Sequence, residues 1–539
     1  MINKRIIAKN IIMVLVVSII FTFFTVSGIW SRNQMYFSQY KLGILLLLLI
    51  YFCIYVILVS GLVLVKNNVL NLKCVDNLNK YWNNTISHQK EKWIVFVGFC
   101  LLYFPVFMAY YPGIFGNDGP VEIYQLYGPG QKVTAHHPLA HIYLLKLCFE
   151  LGKKLCGDYN KGLFLYTLVQ LLFIISVFSY TIFWMRRRKI VFLLRLGTFL
   201  FLAFNPIIQL MNVNTTKDTI FGGFFLLTIL MLLDFIEKQN FNNALKYVLM
   251  SFGMCIFRNQ GYYILAFVCI GSIILIHRNK VKIASLILGT VIIGWFVMNP
   301  LVNWVGIAKG DAREMFSVPM QQIARVWNED KNGVISLLDE ERQLIENLIP
   351  VENLQAYHSN NADYVKSGFK TEVLKENVAK YLKLYLSLGK KYTEIYFRVF
   401  TELVSGFWDI NQYGDYRGLM YLNTYTEEET NICNIKRDSK FLSFALFIEF
   451  VVNITNELPV LRVVFSHVLP VWLMFIVLVS SIVEKRNTIS VIMLFLLGQW
   501  GIMLLSPAML MRYAYPLIIC VPLLCGLFIQ PACIQERYE

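Results

Sequence analysis

The run 42–65, LGILLLLLIYFCIYVILVSGLVLV, holds no charged residue. A bilayer core takes roughly 20 helical residues to cross, so a segment of this kind belongs in lipid. Similar runs recur. They predict spans at 11–30, 42–65, 93–111, 162–184, 190–210, 219–236, 244–257, 260–276, 283–304, 460–483, 488–506 and 512–530. Backbone in hydrocarbon must satisfy its own hydrogen bonds, so the expected fold is an all-α polytopic membrane protein of about 12 transmembrane helices. The segment 138–152 is apolar on one side and short, and is expected to lie in or dip into the interface.

The long polar stretch 305–457 interrupts this pattern. Within it, 334–349 and 371–388 alternate apolar and charged residues at helical spacing, which predicts a mostly helical extracytoplasmic insertion. The chain thus divides into an N-terminal transmembrane domain (1–304) with an outer loop at 112–161, the insertion (305–457), and C-terminal transmembrane helices (458–539).

Composition excludes several classes. With 57% hydrophobic residues the chain is too apolar for an ordinary soluble protein. The net charge of +15 invites a nucleic-acid reading, but the basic residues sit in short clusters between apolar runs rather than on one face. The 11 cysteines show no CxxC, and the large polar region holds only Cys433, which argues against a disulfide framework or a cysteine zinc site. The start, MINKRIIAKN before an apolar run, resembles a signal peptide, yet no small-residue cleavage site follows Gly28, and a retained first span is expected.

Basic clusters set the orientation. Lys4, Arg5 and Lys9, then Lys66 to Lys92, Arg186 to Lys189, Lys238 and Lys246, Arg278 to Lys282, and Lys485 with Arg486 fall in one set of alternate loops. By the positive-inside rule these face the cytoplasm, as do both termini of a multi-pass protein of the cell membrane. The unusual polar clusters then all lie on the outer side: Asp118 to His141, Asn214 to Asp218, Arg258 to Gln260, Gln321 with Gln322, and Arg512.

Each cluster carries a plain and a chemical reading. Asp118, in Gly116-Asn117-Asp118-Gly119-Pro120, is either a turn former or a general base at the membrane surface. Glu122, four residues on, is either a helix-start acid or a second catalytic carboxylate, and with Asp118 it makes a divalent cation a candidate cofactor. His136 and His137 precede Pro138, and His141 lies one turn beyond His137. Without an HExxH glutamate or an obvious third ligand, phosphate contact is favoured over zinc.

Asp218 suits an ordinary helix start after Thr216. Lys217 does not, because the dipole disfavours a cation there unless an anion is bound. Arg258, with Asn259 beside it, and Arg512 stand so near hydrocarbon that each either snorkels to headgroups or faces a partner. Gln321 and Gln322 complete the candidate phosphate- or substrate-binding set. Acids beside several cations suit a lipid-linked phosphate substrate.

The segments YYPGIFGNDG with a downstream HHP, then TTKD, FRNQG, SVPMQQIARV and MRYAYP, resemble an uncharacterised family of Gram-positive polytopic membrane proteins. That family is similar to the GT-C superfamily of polyprenyl-phosphate-sugar glycosyltransferases. The resemblance covers about 100 to 520. It implies a GT-C-like fold and an enzyme, a transferase with its catalytic acid in the first large outer loop, where Asp118 matches. It also implies basic residues holding the lipid phosphate, for which Lys217, Arg258 and Arg512 are placed. The superfamily's two neighbouring acids are not reproduced, since Asn117 and Gly119 flank Asp118.

The expected activity is transfer of a sugar from a polyprenyl-phosphate donor to a cell-envelope glycan or protein on the outer face, with Asp118 as general base. The alternatives are a flippase or transporter, which would need charges near the bilayer midplane, and a polymerase of lipid-linked envelope saccharides. Nucleic acid is not an expected partner.

Overall fold

The computed structural model describes residues 2–33, 37–69, 73–116, 118–411 and 431–529. The described helices before the insertion include α1 (Ile2–Arg32), α2 (Phe37–Val69), α3 (Lys73–Thr85), α4 (His88–Ala109), α5 (Gly119–Tyr127), α6 (Leu139–Cys156), α7 (Tyr159–Arg187), α8 (Phe192–Phe204), α9 (Pro206–Asn212), α10 (Lys217–Glu237), α11 (Phe241–Phe257), α12 (Gly261–Leu275) and α13 (Lys280–Phe296). Among the described residues there are only isolated β-bridges. Among the described residues seven helices are long and apolar enough to cross a membrane, or eight if α8 and α9, bent by 59°, form one span. On α2 large apolar side chains such as Leu42 and Ile57 point outward, as they do in proteins solvated by lipid. This is a helical membrane protein.

The helices differ from the expected spans where local chemistry intervenes. The run 190–210 is cut by Asn205, whose side chain caps α9 by accepting from Ile207 N (3.0 Å) and Ile208 N (3.2 Å), with Pro206 starting the new helix. Of the other expected spans, 260–276, 460–483 and 488–506 fall on shorter apolar helices, α12 and two near the C-terminus.

In the insertion α14 (Ser317–Lys331), α15 (Asp339–Leu348), α16 (Val378–Lys391) and α17 (Thr393–Val404) enclose a core that includes Trp327, Ile345, Leu348, Leu388 and Val399. Two expected helices are shorter than their periodicity. The helix expected from 334 begins at Asp339, and the one expected over 371–388 breaks at Asn377, whose side chain caps α16 by accepting from Lys380 N (3.0 Å). A competing cap overrode a continuous amphipathic pattern.

The chain continues through α18 (Leu442–Glu457), α19 (Leu469–Val483), α20 (Asn487–Met503), α21 (Met511–Ile518) and α22 (Val521–Ile529). At the end of the helices carrying the basic loops, buried ion pairs pin α4, α7, α8 and α10 together. Glu91 accepts from Arg195 Nε (2.9 Å) and pairs with Arg186, while Asp234 receives Arg188 Nη2 (2.8 Å) and Arg187 Nη2 (2.7 Å).

Among the contacts that tie the insertion to the opposite end, two lie beside the loops that carry the polar clusters. Ala135 N donates to Ala308 O (2.8 Å), and Ala362 N donates to Pro507 O (2.7 Å) beside a bridge between Asn361 and Ala508.

Candidate functional site

Two loops meet where α4 ends and α10 begins. Gly113, at φ +142°, turns the chain in a conformation that suits glycine, and a Cβ there would stand 2.2 Å from Thr167 Oγ1. Beyond it Ile114 N donates to Val213 O (2.8 Å) and Thr215 N donates to Ile114 O (3.0 Å). The buried Thr215 hydroxyl also donates to Ile114 O (3.0 Å) and accepts from Gly116 N (3.3 Å). Gly119 packs against the same hydroxyl, where an added Cβ would approach to 2.5 Å. These contacts fix the GNDG loop on the TTKD loop. Asp118 and Lys217 face each other as a result.

Asp118 occupies the N-cap of α5, but its carboxylate makes no cap bond. It reaches across instead: Lys217 Nζ donates to Oδ2 (2.6 Å) and Arg512 Nη1 lies 2.9 Å from Oδ1. Lys217 Nζ also lies 3.0 Å from His137 Nδ1. Lysine has only donors, so His137 accepts and its ring is neutral. Burial, and then Lys217, push His137 down from the ordinary imidazole range to about 2. Burial raises the Asp118 carboxyl, but Arg512 and Lys217 outweigh it and hold the group well below the usual carboxylate range.

Next to this cluster Asp218, fully buried, pairs with Arg258 and lies 3.9 Å from Arg512 Nε. Thr216 accepts from Asp218 N (3.3 Å) as the N-cap of α10. The Tyr513 ring lies under both guanidinium groups, 5.4 Å from Arg258 and 5.1 Å from Arg512. Three cations, Lys217, Arg258 and Arg512, thus meet Asp118 and Asp218, and a third carboxylate, Glu122, stands 3.6 Å from His137 Nδ1. Arg512 Nε is buried and 3.9 Å from the nearest acid oxygen, which leaves the guanidinium one donor for an anion besides the Nη1 that meets Asp118.

Glu122 links this cluster to a second network. It is fully buried, its Oε2 lies 2.5 Å from His141 Nδ1, and His141 Nε2 lies 2.7 Å from Tyr166 OH. Tyr166 OH donates to Gln170 Oε1 (2.8 Å), and Gln170 Nε2 donates to Asn212 O (3.1 Å) and Asn214 O (2.8 Å). This chain joins α5, α6 and α7 to the TTKD loop. Sequence spacing paired His141 with His137. The structure turns His141 to Glu122 and Tyr166, neither of which is near it in sequence.

Residues 128–533 match a family of unknown function, DUF6020. The chain belongs to this family. No curated protein and no solved structure matches it. The DUF6020 match begins beyond Asp118 and Glu122 and takes in His136, His137, Lys217, Arg258 and Arg512.

The other candidates lie as follows in this DUF6020 member. His136 is exposed, with its ring edge-on to His137 at 4.7 Å. Asn259 donates to Ala135 O (3.2 Å), so it braces the loop that carries His137, and its Oδ1 is buried without a partner. Gln321 and Gln322 are not brought to Asp118. Gln322 is engaged inside the insertion with Tyr396 O (3.0 Å) and Tyr385 OH (2.6 Å), and Gln321 donates to His358 O (2.6 Å).

Asp118, Glu122 and His137 each offer a ligand atom, all within 4.8 Å of one another. Two carboxylates and an imidazole are suitable donors for a divalent ion. The Lys217 ammonium, however, lies within hydrogen-bond distance of both Asp118 and His137 and so already fills the cation position. As arranged, these residues do not fit a resident metal.

Proposed function

We propose that this protein is a membrane glycosyltransferase of GT-C-like architecture, with about twelve spans and both termini cytoplasmic. It moves a sugar from a polyprenyl-phosphate donor to a cell-envelope acceptor at the outer face. One observation supports this reading most: Lys217 and Arg512, far apart in sequence, both contact the Asp118 carboxylate, with Arg258 beside them.

The pairing makes Asp118 a weak base in the free protein, because its proton affinity is lowered by the cations it touches. A donor phosphate competes for those same cations. As its oxygens engage Arg512 and Lys217, the carboxylate loses its counter-charges and its basicity rises beside the acceptor hydroxyl. The acceptor oxygen then bonds to the anomeric carbon while the bond from that carbon to the phosphate oxygen breaks, with inversion. The proton passes to Asp118, and the leaving phosphate carries the negative charge that Lys217, Arg258 and Arg512 stabilise.

The test is transfer from a synthetic polyprenyl-phosphate sugar by the purified protein in liposomes. Asp118→Asn is expected to lower kcat by about 10²-fold or more with donor binding retained, as for loss of a general base. Lys217→Met and Arg512→Met are expected to raise the donor KM. Undiminished turnover by Asp118→Asn removes the assignment.

A further inference from the structure

A second feature lies at the opposite end of the bundle. The helix ends there meet: Arg186 Nη1 donates to Ser87 O (3.2 Å), Arg187 pairs with Asp234, and Asn243 Nδ2 donates to Asp234 O (3.0 Å). Between α4, α7, α10 and α11 lies a cavity of about 580 Å³, within the range of small-molecule sites. Its lining is stratified. Lys92 and Lys246 lie within two turns of the starts of α4 and α11, with Trp93 exposed beside them. Ser179 stands eight residues inside the Arg187 end of α7, about 12 Å along the helix. Phe173 and Leu227 lie deeper and are apolar.

Two features point to a ligand of definite chemistry. Neither lysine forms an ion pair with an acid among the described residues and no carboxylate lines the cavity; Lys92 lies over the Trp93 and Phe183 rings, at 5.9 and 5.8 Å, so two positive charges stand at its mouth without an anionic partner. Below them Ser179, 2% exposed, has a hydroxyl that makes no hydrogen bond. A buried polar group without a partner is costly, and one lining a cavity is readied for an acceptor inside it. From mouth to floor the order is cations, a hydroxyl donor, then hydrocarbon.

We infer that this cavity binds one anionic glycerophospholipid from the leaflet facing the basic loops. Its phosphate lies at Lys92 and Lys246, an ester carbonyl accepts from Ser179 Oγ, and an acyl chain runs along Phe173 and Leu227. Basic pockets between transmembrane helices on the cytoplasmic side recognise anionic headgroups on this principle. The site is remote from Asp118 and independent of the proposed transfer.

The experiment uses the purified full-length protein, delipidated in detergent and offered phosphatidylglycerol and phosphatidylcholine with identical acyl chains. Bound lipid is counted by native mass spectrometry. Phosphatidylglycerol is expected to be retained about tenfold more tightly, and Lys92→Gln/Lys246→Gln to bring it to the phosphatidylcholine level. Ser179→Leu, which fills the cavity, is expected to reduce both lipids. Leu227→Trp serves the same purpose should Ser179→Leu not yield monodisperse protein. Equal retention of the two lipids by the unaltered protein, or phosphatidylglycerol retention unmoved by the lysine pair, overturns the inference. Tighter binding of a polyprenyl phosphate, which has no acyl ester carbonyl, overturns the glycerophospholipid assignment.

Discussion

Lys217 stands out in the sequence because a cation at a helix start opposes the dipole. In the structure Asp118 compensates it, which removes the conflict but leaves an acid whose resting state is a strong ion pair. The same lysine fixes His137 as a neutral acceptor, and this gives a pH prediction with a definite sign. Unfolded, His137 takes a proton near pH 6.5; folded, it does so only near 2. The folded state therefore binds fewer protons between those values, and stability falls as pH drops below about 6.5. By pH 5 the difference from one such group is about 2 kcal/mol. The groups facing His137 are Asp118, Glu122, His136, His141 and Lys217. The melting temperature in detergent should fall between pH 7 and pH 5, and His137→Gln should flatten part of that fall. An equal fall in the variant excludes this state of His137. Sequence could mark Lys217 by its oddity at a helix start and Asp118 by its place in an outer Gly/Pro turn. It could not show that Glu122 is buried with His141 and Tyr166, because three acids or bases near one loop look alike until the backbone assigns their partners.

At the scale of elements, hydropathy located the long helices because the bilayer demands length and apolarity together. It failed where side-chain caps acted. Asn205 and Asn377 each stop a periodic run and begin a new helix, and nothing in the apolar spacing records that choice. The arginines at 186–188 read as an orientation signal, yet Arg186 and Arg188 are buried and paired with Glu91 and Asp234, acids remote in sequence. The loop that presents Asp118 depends on a different local rule, the left-handed turn at Gly113. Gly113→Ala would combine φ strain with a clash against Thr167, costing roughly 1–3 kcal/mol. Gly43→Ala, where an added Cβ meets nothing within 4 Å, supplies the control. Thermal denaturation of the two should separate them, with Gly113→Ala clearly lower and Gly43→Ala unchanged or higher. Similar melting of both would show that the loop tolerates another path.

For the whole molecule, the insertion holds the walls of the candidate site from two sides. Through Ala308 it grips the loop that carries His137, and through Ala362 it grips the Pro507 segment that leads into Arg512. Its own glutamines are engaged elsewhere, so its effect on the pocket comes through backbone position rather than through direct contact. That separation is testable. Ala362 has φ −81°, close to what proline adopts, so Ala362→Pro removes the donor to Pro507 O with little change in local backbone. A lost hydrogen bond of this kind is worth about 1 kcal/mol, or about fivefold in an equilibrium. If the bond aligns Arg512 with the pocket, inorganic pyrophosphate measured by calorimetry should bind up to about fivefold more weakly to the variant. Helix content and the insertion's own core should stay intact, since Trp327, Ile345 and Leu388 are not touched by the change. Pyrophosphate affinity equal to that of the unaltered protein, with the fold preserved, would mean that Arg512 is placed by α21 and Tyr513 alone. The insertion would then act only on whatever approaches the pocket from outside.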